Sequence, residues 1–260
     1  MPEVESYKQG TPCWVDLSST DIEVSKNFYS GLFGWELDSM DAGQGMTYYM
    51  AKLQGRYVAG LMQQLPDAPA GMPSYWANYI AVDSVDEAAE RAAAAGGTIV
   101  FPPDTVPNGG GRLFFAADPT GAQIGFWEAG THHGSGLVNV PGTMAWNEVQ
   151  TSDVPTAVAF YEAVTGCSSS TAPAGDVEEY TSLLVDGEPV AGVMKLPGEG
   201  LPPFWMTYFN VADVDAAVAQ AVGLGSHVIA PAFDVPGIGR FAVLMDPAGA
   251  AFSIMKGVAT

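Results

Sequence analysis

The sequence predicts an α+β protein made of two tandem copies of one domain. Three observations lead to this prediction: a long internal repeat, a strand–helix–strand order that recurs within each copy, and a hydrophobic content of 48% in 260 residues. A chain of this length and content is sufficient for two domains of ordinary size, each with its own core.

The repeat extends through most of the chain at a nearly constant spacing. Trp14 aligns with Trp146, 132 residues later, and the spacing falls by only a few residues toward the end of the copy. The order of the matched segments is kept, so the similarity indicates a duplication. The matched segments are 11–35 with 142–167, 75–88 with 204–217, and 111–122 with 239–250.

Within the first copy, helix and turn signals divide the chain into two similar halves. Thr20 and Glu23 match a capping box that would begin a helix, and Gly34 stands where a left-handed cap would end it. A strand, an alanine-rich helix and three short strands follow. Each copy is therefore expected to hold two βαβββ units, four in all.

The segment between the copies is rich in glycine, which predicts a linker. We expect a first module over 1–128, a linker over 129–141 and a second module over 142–260. The linker contains His132 and His133, which we interpret as an exposed pair.

Two arginines occupy equivalent places in the copies, before the last hairpin of each. Because duplicated copies rarely keep one catalytic role, we expect Arg112 and Arg240 to pair with the turn aspartates Asp118 and Asp246.

The charge balance excludes several classes of partner. Acids outnumber bases by 29 to 9, giving a formal charge of −20, whereas nucleic acids and anionic membranes attract clustered Lys and Arg. The N-terminus lacks the pattern of a signal peptide, and no apolar run approaches the roughly 20 residues that span a bilayer. With only two cysteines, a cytoplasmic protein is expected.

Three motifs in this order resemble the vicinal oxygen chelate superfamily, which includes glyoxalase I, extradiol dioxygenases and bleomycin-resistance proteins. The motifs are a strand and Asp before a helix ending in FYxxxxGW or FYxxxxGC, VDxVD before an alanine-rich helix, and the turn DPxGA. The tandem form is most similar to an actinobacterial branch with proteins of anthracycline and other aromatic polyketide pathways. The resemblance implies two cup-shaped curved mixed sheets with the helices outside.

The resemblance also implies where metal-using relatives carry their ligands. None of the corresponding side chains here offers an imidazole or a carboxylate, so we expect no metal and no other cofactor. The three positions in the two copies are Trp14 and Trp146, Ala77 and Met206, and Gly125 and Ser253.

Aromatic side chains and one carboxylate per copy are expected to line the cups instead. Side chains alternate along a strand, so Asp16 shares a face with Trp14, and Glu148 shares one with Trp146. If that face looks into the cup, the pocket suits a large planar conjugated ligand. The expected ligand-contacting residues are Trp14, Ser18, Trp76, Tyr79, Trp146, Gln150, Met206 and Tyr208.

Asp16 and Glu148 are the candidates for proton transfer, because burial beside an indole raises a carboxyl pKa. Tyr48, Tyr79 and Tyr208 are candidates to donate hydrogen bonds to a developing oxyanion. A purely structural role remains the alternative for each of these residues.

Three functions stay open. The first is a metal-independent enzyme that performs acid–base chemistry, such as dehydration or cyclisation, on an aromatic polyketide in antibiotic biosynthesis. The second is a non-catalytic binder of an aromatic antibiotic, for self-resistance or as the helper of an oxygenase. The third is a metal-dependent lyase or dioxygenase. In each case the partner is a small aromatic molecule, and the chain is a monomer or a homodimer.

Overall fold

The computed structural model describes residues 3–43, 45–66, 68–69, 71–175, 177–198 and 200–258. Each copy folds into eight strands and two α-helices within these ranges. The first copy comprises β1 (Pro12–Ser19), α1 (Ile22–Phe33), β2 (Glu36–Gly43), β3 (Met46–Leu53), β4 (Arg56–Gln63), β5 (Tyr75–Ala81), α2 (Val85–Ala94), β6 (Thr98–Thr105), β7 (Gly111–Ala117) and β8 (Gln123–Ala129). The second comprises β9 (Met144–Thr151), α3 (Val154–Thr165), β10 (Ser168–Ala174), β11 (Val177–Val185), β12 (Glu188–Lys195), β13 (Phe204–Asn210), α4 (Val214–Gly223), β14 (His227–Val235), β15 (Gly239–Met245) and β16 (Ala251–Gly257).

Each copy forms one mixed sheet of its own. The strand order is β2-β3-β4-β1-β5-β8-β7-β6 in the first sheet and β10-β11-β12-β9-β13-β16-β15-β14 in the second. Within a sheet, the two βαβββ units meet through an antiparallel pair, β1 with β5 or β9 with β13. The first and last strands of each unit pair in parallel, as β1 does with β4. The predicted fold class, four βαβββ units in two curled sheets, is confirmed.

The helices lie on the convex faces, between the two sheets. Phe28 of α1 belongs to the same buried core as Val15 of β1 and Phe252 of β16 in the other copy. Helix α1 contacts α4, and α2 contacts α3. Packing of the two copies back to back leaves both concave faces directed away from the shared core.

Local signals fixed the helix ends with one error. Gly34 ends α1 at φ 72°, in the left-handed region, as predicted. The N-cap is Asp21, whose side chain accepts a hydrogen bond from the Val24 amide, so the capping box of Thr20 and Glu23 was a wrong prediction. The Thr20 hydroxyl instead donates to the carbonyl oxygen of Ala248 in the second copy, at 3.0 Å.

The predicted pairing of arginines with turn aspartates is also wrong. Arg112 binds Asp86 with both terminal nitrogens, at 2.6 and 3.0 Å, and Arg240 binds Asp215 and Asp234. The turn aspartate Asp118 is buried, where an arginine on the exposed edge cannot reach it.

Asp118 instead joins the two copies. Its Oδ1 accepts from amides of its own turn, and its Oδ2 accepts from the Tyr161 hydroxyl of the second copy at 2.9 Å. The same hydroxyl accepts from the Trp205 indole at 2.9 Å. In the mirrored place, Tyr29 accepts from the Trp76 indole at 2.9 Å. The aromatic pair FY of the repeat therefore builds the interface between the copies.

In the residues that the structure covers, none of the helices has both the length and the apolar character needed to cross a bilayer.

Candidate functional site

A carboxylate with three hydrogen-bond donors lies on the concave face of the first cup. The Trp14 indole nitrogen donates to Oδ1 of Asp16 at 2.8 Å, and the Tyr79 hydroxyl donates to Oδ2 at 2.7 Å. The Tyr48 hydroxyl also donates to Oδ1. Asp16 thus holds aromatic side chains from three strands around one point.

The second cup repeats this cluster around Glu148. Tyr180 donates to Oε2 at 2.8 Å and Tyr208 to Oε1 at 3.0 Å. The Gln150 amide donates to Oε1 at 3.0 Å. The Trp146 indole donates to the Tyr180 hydroxyl at 2.9 Å and not to the carboxylate itself. We call these two groups the Asp16 cluster and the Glu148 cluster.

The strand register explains why the repeat builds the same cluster twice. Trp14 lies opposite Tyr79 across the antiparallel pair, and Trp146 lies opposite Tyr208. Gly60 lies opposite Asp16 on β4, and a Cβ atom there would overlap both the Tyr48 hydroxyl and the Asp16 carboxylate.

Gly125 and Ser253 stand at the third of the implied metal-ligand positions, and both lie next to a tyrosine of the cluster. Gly125 lies opposite Tyr79, and a Cβ atom there would press into the tyrosine ring. Ser253 is buried opposite Tyr208 and donates to the Ala242 carbonyl at 3.0 Å. The absence of a side chain at Gly125 thus makes room for Tyr79, which reaches Asp16.

Burial dominates the electrostatics of both clusters. It raises the pKa of the Asp16 carboxyl above its ordinary value, while the hydrogen bonds from Tyr48, Tyr79 and Trp14 oppose this effect. Burial likewise raises the pKa of Glu148 against the donors Gln150, Tyr180 and Tyr208. A carboxyl group that keeps its proton to higher pH than usual is suited to general acid–base chemistry.

The tyrosine hydroxyls stay protonated and remain donors. Burial, reinforced by the negative charge of Asp16, raises the pKa of Tyr48 and Tyr79 well above the ordinary value. Burial and Glu148 do the same for Tyr180 and Tyr208. Each cluster therefore combines one titratable carboxyl with two fixed hydroxyl donors.

Most of the predicted site residues lie on the concave faces. Asp16, Trp14, Tyr48 and Tyr79 meet in the first cup, and Glu148, Gln150, Trp146 and Tyr208 meet in the second. Ser18 shares the strand face of Asp16, and Met206 lies opposite Glu148. Their roles toward a ligand stay predictions.

Trp76 is the exception, and its predicted ligand contact is wrong. Its side chain lies in the core between the sheets, where it packs against Tyr29 and Phe209. Trp76 and Tyr79 are three residues apart on one strand, so alternation places them on opposite faces.

The roles of two site residues were not predicted from the sequence. Tyr180 was missed, although it stands 132 residues after Tyr48, at the spacing of the repeat. His132 is predicted to be an exposed linker residue, whereas its ring packs edge-on against Trp14 with centroids 4.4 Å apart. A glycine-rich segment has no hydrophobic periodicity from which the contact between His132 and Trp14 could be predicted.

Comparison with known proteins places both copies in one group. Residues 13–126 match the family described as "Glyoxalase/Bleomycin resistance protein/Dioxygenase superfamily", and residues 146–255 match "Glyoxalase-like domain". CFP32 of Mycobacterium tuberculosis is 44% identical over 257 residues, which cover 98% of each chain.

The chain belongs to the glyoxalase/bleomycin resistance protein/dioxygenase superfamily.

Other superfamily members extend the comparison. The anthracycline biosynthesis protein DauV of Streptomyces sp. (strain C5) is 36% identical over 96% of this chain and 94% of its own. The Mn(II)-bound glyoxalase from Novosphingobium aromaticivorans shares 19% identity at a TM-score of 0.64, over 95% of this chain and 82% of that one. At that identity the likeness shows the fold alone.

The metal that some superfamily members hold does not fit the residues of this chain. The implied ligand positions carry indole, methyl, thioether, hydroxymethyl and hydrogen side chains, and each cup offers one carboxylate already bound by donors. Across the described parts of the chain, no group of three or more His, Cys, Asp or Glu side chains is arranged to hold a metal ion. A divalent cation needs several nitrogen, oxygen or sulfur ligands that converge on one point.

The raised pKa of Glu148 predicts a pH-dependent stability that a neutral side chain removes. Because the folded state binds this proton more readily than the unfolded chain, the stability due to Glu148 is present at acid pH. It is lost as the pH rises from the ordinary carboxyl pKa through the raised one.

Glu148→Gln should therefore gain stability relative to the parent protein as the pH rises above the ordinary carboxyl pKa, over the range in which both proteins stay folded. Urea unfolding of both proteins across this range measures the difference in free energy of unfolding. A difference that stays constant with pH would contradict the expectation, and Glu36→Gln, at an exposed position, is the control.

Proposed function

We propose that the protein is a metal-independent enzyme that binds a bulky aromatic polyketide in a cup and catalyses acid–base chemistry on it. The reaction class is dehydration or cyclisation in the biosynthesis of an antibiotic. The observation that carries this proposal is the Asp16 cluster, with its counterpart at Glu148: one carboxyl of raised pKa among hydroxyl donors and aromatic side chains. The likeness to a protein of anthracycline biosynthesis supports the same class of substrate.

In the Asp16 cluster, ligand binding is expected to make the carboxylate more basic. A tyrosine hydroxyl has a single proton, and in the free protein the protons of Tyr48 and Tyr79 both point to Asp16. When a ligand carbonyl accepts one of these protons in a hydrogen bond, the carboxylate loses a stabilising donor and becomes more basic.

The resulting step balances without another reagent. The carboxylate takes a proton from a carbon that is adjacent to the ligand carbonyl, or conjugated with it through an aromatic ring, and the electron pair of that C–H bond forms an enolate. The tyrosine hydroxyl stabilises the negative oxygen. The new carboxylic acid then returns its proton to a leaving hydroxyl, which departs as water while the enolate electron pair forms a C=C bond. In a cyclisation, the enolate carbon instead attacks a second carbonyl carbon of the ligand, and the acid gives its proton to the alkoxide oxygen formed there.

Anthrone provides a test, because it is planar, tricyclic and able to enolise. We expect the protein to accelerate exchange of the anthrone methylene protons with deuterated solvent under anaerobic conditions, measured by NMR. A protein carrying both Asp16→Asn and Glu148→Gln should lose this acceleration by a factor of about 100 or more. Equal rates for this variant and the parent protein would defeat the proposal.

Metal analysis accompanies this assay. We expect protein dialysed against a chelator to keep its full exchange rate. Loss of the rate, with recovery upon stoichiometric addition of Ni, Zn, Fe or Mn, would favour the metal-dependent lyase or dioxygenase instead.

A non-catalytic binder is the second candidate. It is favoured by the saturation of both carboxylates with donors, which suits anchors that hold aromatic walls in place. Such a protein would bind anthrone without accelerating its exchange, and the ligand would be recovered unchanged.

A further inference from the structure

We propose that the first cup is the operative one, and that His132 of the linker binds the ligand there through its Nε2 atom. This inference rests on the proposed function, which it narrows to one cup and one additional residue.

The surroundings of the two carboxylates differ in accessibility. Asp16 is half-buried, whereas Glu148 is only 4% exposed. The residue directly opposite Asp16 on the neighbouring strand is Ala77, and the one opposite Glu148 is the buried Met206. The first cup thus has a methyl group beside its carboxylate where the second cup has a long thioether side chain.

The residue two positions after each carboxylate, on the same face of the strand, adds to the difference between the two cups. Gln150 is buried, and its amide occupies one oxygen of Glu148. The equivalent residue, Ser18, is half-buried and too short to cover Asp16 in this way. The carboxylate of Asp16 therefore has short side chains opposite it and beside it, whereas Glu148 has the longer side chains of Met206 and Gln150 in the same places.

The linker supplies the first cup with a further polar side chain. The His132 amide donates to the Gly110 carbonyl at 2.9 Å, and its carbonyl accepts from the Trp127 indole at 2.9 Å. The ring packs edge-on against Trp14 at 4.4 Å and lies 5.5 Å from the ring of Trp127. Because Trp14 donates to Asp16, the imidazole and the carboxylate flank the same indole.

One nitrogen atom of this imidazole lacks a hydrogen-bond partner within the described part of the chain. Nε2 of His132 is buried and has no hydrogen-bond partner among the described residues. A buried polar atom without a partner costs free energy, and a hydroxyl or carbonyl group of a ligand seated against Trp14 would satisfy it. Burial also lowers the pKa of His132 to about 4, so the ring is neutral at pH 7 and offers one donor and one acceptor nitrogen.

The test uses anthrone with single variants of the full chain. His132→Phe keeps a ring against Trp14 and removes the nitrogen atoms, so we expect anthrone binding to weaken about tenfold. His132→Gln, whose amide reaches a similar distance, should restore part of the affinity. His133→Phe at the neighbouring position is the matched control and should bind as the parent protein does, and thermal unfolding confirms that each variant is folded.

Two further variants assign the cup. We expect Asp16→Asn to slow anthrone exchange by at least about tenfold more than Glu148→Gln does. The opposite order would place the reaction in the second cup, and unchanged binding by His132→Phe would remove the role of the histidine. If anthrone neither binds to the parent protein nor exchanges faster with it, the proposed function fails, and this assignment fails with it.

Discussion

Replacing Gly60 with alanine is expected to lower the free energy of unfolding by about 2–4 kcal/mol and to abolish ligand binding in the first cup. A Cβ atom at this position would overlap the Tyr48 hydroxyl and the Asp16 carboxylate. The tyrosine has to move, and its movement removes a donor from the carboxylate and an acceptor from the Trp14 indole. Losing hydrogen bonds at buried polar groups adds to the steric cost.

Denaturant unfolding of the variant measures this loss, with Gly136→Ala as the control. A Cβ atom at Gly136 would meet its nearest neighbour, in Arg56, at 3.5 Å, which is an ordinary contact. Gly192→Ala should reproduce the effect in the second cup, where the added atom would overlap the Tyr180 hydroxyl. Stability of Gly60→Ala equal to that of Gly136→Ala would show that the close approach at Gly60 is not required.

The fold was predictable because its signals are local and repeated. Gly34 ends α1, and Gln54 and Gly55 form the hairpin turn between β3 and β4 with φ values of 51° and 77°, as turn chemistry requires. Alternation along β1 places Trp14 and Asp16 on one face, as their shared contacts confirm. The duplication then supplied each of these signals twice.

The interface between the copies and the contacts of the linker were not predictable in this way. The partner of Asp118 is Tyr161, 43 residues away in the chain and on the other module, and no local pattern links the two. His132 reaches Trp14 only because backbone hydrogen bonds hold the linker against the turn at Gly109 and Gly110. Such contacts depend on how helices and strands pack together in the tertiary structure. The residue pattern of a single segment does not determine that packing.

Replacing Tyr161 with phenylalanine is expected to lower the free energy of unfolding by about 3 kcal/mol. The substitution removes the hydrogen bond between the two copies but keeps the aromatic ring in the core. The hydroxyl donates to Oδ2 of Asp118 and accepts from the Trp205 indole, both at 2.9 Å. Its removal leaves a buried carboxylate oxygen and a buried indole N–H without these partners, and the energetic cost is the desolvation of both groups.

Tyr57→Phe is the matched control for this substitution. Its hydroxyl donates to Asp38 at 3.1 Å on the exposed surface, where solvent replaces the lost hydrogen bond and the change stays within about 0.5 kcal/mol. Unfolding of both variants in urea compares them directly. A loss at Tyr161 no larger than that at Tyr57 would show that the hydroxyl is not needed to hold the copies back to back. A large loss would show that the aromatic pair of the repeat serves the interface, since the concave faces keep all their own residues in this variant.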